Sequence, residues 1–143
     1  MGITTDNLLN QLSSMNTLSE LQNFTENTET AGFKLNFYEY LADLIQTSPL
    51  SLSELIRKSG IQRNYAYQII NGVKRPGRDK VLALCLALSL PLEETQRALT
   101  IAEENVLYPK NKRDSIIIFC INQEKSVQET NDLPYELNEE PIQ

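Results

Sequence analysis

The chain has 143 residues, of which 41% are hydrophobic and 22% charged, enough apolar content for one real core with helical extensions. It contains no histidine and no tryptophan, which excludes Ser-His, Cys-His and His-metal chemistry. The net charge is −6, yet it is unevenly placed: residues 1–56 carry −6, residues 57–80 carry +6 and residues 81–143 carry −6. A basic island between acidic arms suits a polyanionic partner better than the sum suggests.

The opening run Met1-Gly2-Ile3-Thr4-Thr5-Asp6 lacks the basic start and long apolar core of a secretory signal. Its match to a myristoylation signal is poor. Two short amphipathic helices are expected next, one over about Asp6 to Ser13 with Leu8, Leu9 and Leu12 on one face. The other follows Thr17, with Leu18, Leu21 and Phe24. The polar stretch 23–32 reads as a linker. Such short helices are marginal alone, so their leucines must pack on the main domain or on a second copy.

From Leu35 the pattern tightens. Phe37, Tyr38, Leu41, Leu44 and Ile45 form one face of a helix that ends at Ser48-Pro49. Ser51-Leu52-Ser53-Glu54 is a capping box, in which hydroxyl and carboxylate each satisfy a backbone amide. It opens a second helix that buries Leu55 and Ile56 and stops at Ser59-Gly60. A third helix spans about Gln62 to Asn71, closed by Gly72. Val73 to Gly77 form a basic turn.

The fourth helix, about Arg78 to Leu88, is apolar nearly all round and therefore central. Cys85 sits within it; Cys120 lies in a later apolar run. Two cysteines cannot build a zinc ribbon, and buried thiols in a reducing, cytoplasmic setting are expected. Pro91 starts a fifth helix, with Leu92, Leu99 and Ile101 inward and Glu93, Glu94 and Arg97 outward. After Leu107-Tyr108-Pro109, residues 112–122 read as a helix, with a strand as the rival because of Ile116, Ile117, Ile118 and Ile121. A further box at Ser126-Val127-Gln128-Glu129 opens a last helix to about Leu137, and the tail 138–143 is expected to fray.

The informative stretch is Leu52 to Arg78: helix, glycine-bearing turn, helix. Inward positions Ile61, Ala66 and Ile69 leave Asn64, Tyr67, Gln68 and Asn71 as the opposite stripe, with Arg63 beside it. Arg matches guanine and Asn or Gln matches adenine in two-pronged hydrogen bonding. Tyr67 offers a hydroxyl to a base edge or phosphate, or a surface for protein contact, and Tyr65 is expected at the helix edge. Lys74, Arg75 and Arg78 follow the helix, where cations grip phosphates. Arg57, Lys58 and Lys80 read as peripheral.

Residues 35–103 resemble the five-helix domain of the lambda-repressor/Cro-like (XRE-type) transcription regulators. The resemblance rests on Leu55, Ile56, Gly60, Ile61, Ala66, Ile69, Asn71-Gly72, Lys74-Arg75-Pro76 and the apolar helix that follows. It implies that Arg63, Asn64 and Gln68 read bases and that Gln62 contacts phosphate. The expectation is then an all-α chain in three parts: short helices and linker (1–32), a helix-turn-helix domain (33–105) and a C-terminal helical extension (106–143).

No phosphate loop, nucleophile elbow or metal-spaced acid cluster is present, and adjacent acidic pairs such as Glu93-Glu94, Glu103-Glu104 and Glu139-Glu140 cannot face one another on a helix. The expected function is therefore non-enzymatic and cofactor-free: a homodimeric repressor on double-stranded DNA, with no membrane span. The rival is a protein-binding adaptor or antitoxin-like partner that keeps the fold and works through its flanking helices.

Overall fold

A computed structural model describes residues 36–136 and 139–143. The two N-terminal helices with Leu8, Leu9, Leu12, Leu18, Leu21 and Phe24, and the linker at 23–32, lie outside the described residues.

Four of the described helices begin where a side chain caps the first unpaired amides, while those that follow Asn36, Gly77 and Pro91 start without a side-chain cap. Helix α1 (Phe37–Thr47) follows Asn36. Helix α2 (Leu52–Ser59) opens on the Ser51 box: the Glu54 amide donates to Ser51 Oγ at 3.2 Å, and the Ser51 amide donates to Glu54 Oε1 at 3.4 Å. Helix α3 (Arg63–Ile70) is capped by Gln62, whose Oε1 accepts from the Tyr65 amide at 2.9 Å. Helix α4 (Arg78–Ala87) and helix α5 (Leu92–Ile101) follow Gly77 and Pro91. Helix α6 (Lys112–Asn122) begins on Asn111, whose Oδ1 accepts from the Asp114 amide. Helix α7 (Val127–Glu136) starts on the Ser126–Glu129 box. Among the described residues there are seven helices and no strand, so the strand rival for 112–122 falls.

Helix α4 is the axis. Val81, Leu82, Ala83, Leu84, Cys85, Leu86 and Ala87 are all buried, because α2, α5 and α7 pack around it. Helix α1 closes over α3 and α5. Within α1 the buried face is Phe37, Tyr40 and Leu41, not Tyr38, which is 40% exposed. The tyrosine ring nevertheless has work: it lies over Gly72, where an added Cβ would come within 2.9 Å of Tyr38 Cδ1.

The C-terminal helical extension, 106–143, shares the core of the preceding helices: Leu107, Ile117, Ile121, Val127 and Ile142 cluster with Leu82 and Leu99. One expectation needs correction. The tail does not fray at its end. Ile142 is buried, and the Asn131 side chain bonds both its amide and its carbonyl. Asn131 thus supplies a donor and an acceptor to a backbone that no strand pairs among the described residues.

Candidate nucleic-acid interface

The turn between α2 and α3 is built for a sharp change of direction. Gly60 takes φ 71°, in the left-handed region that a side chain disfavours. Buried Ser59 donates from Oγ to the Ile56 carbonyl at 2.7 Å, and its Oγ accepts from the Ile61 amide at 3.2 Å. Ile61, Ala66 and Ile69 then anchor α3 in the core. What remains outside is the opposite stripe: Gln62, Arg63, Asn64 and Asn71 are exposed, while Tyr67 and Gln68 are half-buried.

Arg63 does not hang free over this face. Its guanidinium carbon lies 5.7 Å from the centre of the Tyr67 ring, close enough for a cation–π attraction. Lys80 reaches back from α4 to the Tyr65 ring at the same distance. Lys80, expected at the periphery, therefore sits against the edge of α3. Gln62 spends its carbonyl oxygen on the helix cap, which leaves its amide nitrogen as a donor at the first turn.

The basic turn is fastened to α3 through one carbonyl. The amides of Val73 and Lys74 both donate to the Gln68 oxygen, at 2.8 and 3.1 Å, and Gly72 makes the reversal possible at φ 79°. Lys74 and Arg75 are exposed beyond it. Arg75 forms a short, solvent-exposed ion pair with Glu103. Such pairs contribute little and exchange readily.

Arg78, expected at a phosphate, is engaged within the chain. Nη1 and Nη2 bond the two Asp114 carboxylate oxygens at 2.9 and 2.8 Å, while Nε and Nη2 reach the carbonyls of Asn105 and Val106. This side chain staples the start of α4 to the loop before α6. Burial alone would push the Asp114 carboxyl up, but the Arg78 guanidinium and the Tyr108 amide hold it below the usual carboxylate range. The hydrogen bonds to Asp114 in turn raise Arg78. Nothing local in the sequence announces this pair, because its members are 36 residues apart.

Among the described residues no group of three Cys, Asp or Glu side chains could hold a metal ion. No helix of the described residues is long and apolar enough to cross a membrane. Of the acidic pairs, Glu94 accepts from the Tyr40 hydroxyl at 2.7 Å, and burial together with this carboxylate pushes the phenol upward. That bond ties α1 to α5. Comparison with known proteins returned nothing: no family model, no curated protein and no solved structure matches the chain.

Proposed function

We propose that the chain is a sequence-specific DNA-binding transcription regulator of the lambda-repressor/Cro-like kind, a repressor that inserts α3 into the major groove. One observation carries the reading. Arg63, Asn64 and Gln68 share the outward side of a helix whose inward side is locked by Ile61, Ala66 and Ile69. That helix is bounded by a donor amide at Gln62 and by the exposed cations Lys74 and Arg75.

Base readers flanked by phosphate grips are what a groove-docking helix requires. Tyr67 supports the stripe from beneath Arg63, and Lys80 adds a further cation at its margin. A single short helix reads only a few base pairs, so the proposal includes a homodimer that places two such helices about 10 bp apart. Selection of bound duplexes from a random pool, followed by salt titration, tests it. Enrichment of a short two-fold related motif, bound less tightly as salt rises, is the expected result.

A second reading has its own support. Arg75 and Arg78 pair with Glu103 and Asp114 of the same chain, and acidic arms of −6 lie on each side of the basic island. An adaptor or antitoxin-like protein that binds another protein would tolerate both features. It would bind no duplex even at low salt.

A further inference from the structure

Residues 139–143 lie against three helices in a way that resembles a bound peptide. From α6, Arg113 donates through Nε to the Glu140 carbonyl at 2.9 Å and through Nη2 to the Pro141 carbonyl at 3.0 Å. From α7, Asn131 accepts the Ile142 amide at 2.8 Å and donates to the Ile142 carbonyl at 3.1 Å. From α4, Asp79 accepts the Gln143 amide at 3.2 Å. Asp79 and Arg113 are themselves paired, at 2.9 and 3.2 Å, so each fixes the other's orientation.

The bonds to residues 140–143 are all made to the main chain, and Glu139 adds a side-chain ion pair, 3.9 Å from Lys112. The side chains of 139–143 are read at one deep position only, Ile142, which is 6% exposed and packed into the common core. Main-chain bonds for grip and one apolar socket for identity are the way peptide-recognition domains hold extended ligands. Pro141 fits the pattern, since it has no amide to satisfy and its ring favours an extended backbone.

We propose that α4, α6 and α7 form a recognition groove for an extended peptide carrying proline followed by a large aliphatic residue. In this structure residues 139–143 fill the groove in cis. The groove takes such a peptide from a partner protein when the cis segment gives way. This inference does not depend on DNA binding, because none of Asp79, Arg113 and Asn131 belongs to the outward stripe of α3.

A tethered segment competes at an effective concentration near the millimolar range, so the native chain masks its own groove. The test uses the full chain carrying Ile142→Asp, which empties the socket. A fluorescein-labelled, amidated peptide Glu-Glu-Pro-Ile-Gln is titrated with it and followed by anisotropy. The expected result is saturable binding at least tenfold tighter than to the native chain. A second substitution, Asn131→Ala, should cost at least a further tenfold, and a peptide with Asp for Ile should not bind. If Ile142→Asp melts without cooperativity, Ile142→Ala replaces it and is read in the same way. A cooperatively folded variant that fails to bind the peptide, or that binds it equally well after Asn131→Ala, overturns the proposal.

Discussion

Arg78 and Asp114 form a two-pronged ion pair, at 2.9 and 2.8 Å, that joins the first turn of α4 to the first turn of α6. Asp114 also accepts the Tyr108 amide, and Arg78 also holds two carbonyls of the intervening loop. A charged pair this enclosed is weak evidence of net stabilisation, but removal of one member strands the other. Asp114→Ala should therefore cost about 3 kcal/mol, a fall of roughly 10 °C in Tm for a unit of this size. Replacing both residues by Met and Leu should cost clearly less than Asp114→Ala alone. Thermal melts of the three variants decide it; equal losses in single and double variants would place the stabilisation elsewhere.

The same carboxylate sets a pH dependence. The folded-state pKa of Asp114 is depressed below its unfolded value. Its contribution is then fully present above the ordinary aspartate value of about 3.9 and is lost as pH falls through the lower folded value. Denaturant melts between pH 5 and about pH 2 should show native stability falling in this window, with a shallower fall in Asp114→Asn. Parallel curves for the two proteins would refute the assignment.

Much of the site was legible because its logic is local. The Ser51 box, Gly60, Gly72 and the Ile61, Ala66 and Ile69 spacing lie within a few residues of what they control, so α2, the turn and α3 follow from the sequence. Other helix ends gave no such sign. Ser89, Glu103 and Glu124 take positive φ after α4, α5 and α6 without a glycine to announce it. Long-range pairings were also hidden. Arg78 looks like one more cation of the island until Asp114 is placed beside it, and the tail looks frayed until Arg113, Asn131 and Asp79 converge on it. Tyr38 satisfied the helical period of α1, but its ring serves Gly72 instead of the core.

That contact yields a sharp prediction. Gly72→Ala places a Cβ at φ 79°, costing about 1–2 kcal/mol by backbone strain. It also drives the new methyl to 2.9 Å from the Tyr38 ring. Introducing Gly72→Ala into Tyr38→Ala should recover only the second part. A double-mutant cycle by denaturant unfolding measures the coupling, and a coupling indistinguishable from zero would mean that the ring simply swings aside.

Cys85 should resist modification. Burial among the α4 side chains pushes its thiol up to about 12, so almost no thiolate exists at neutral pH. Cys120 is buried as well and is also raised by burial. Aromatic disulfide reagents should label neither thiol in the native chain over the time needed to label both in denaturant. Fast native labelling of Cys85 would contradict the central position of α4.

The proposed function makes its own division among residues of one short stretch. Arg63 and Gln68 lie on the outward side of α3, so alanine at either should weaken the selected operator by about 1–3 kcal/mol and leave scrambled duplexes little changed. Lys74 lies past Gly72, on the turn tied to the Gln68 carbonyl, and should touch phosphate. Lys74→Ala should weaken every duplex alike and lower the salt slope by about one unit. Arg75→Ala should act in the same way but less strongly, because Arg75 must first leave Glu103. Arg78 serves as the internal comparison. Its guanidinium is already bound to Asp114, so Arg78→Ala should lower Tm while leaving the salt slope of the still-folded protein unchanged. Titrations on operator and scrambled duplexes at several salt concentrations separate these patterns. If substitutions at Arg63, Gln68, Lys74 and Arg75 all leave binding untouched, or if no duplex binds at low salt, the basic island faces a protein and the adaptor reading replaces the repressor.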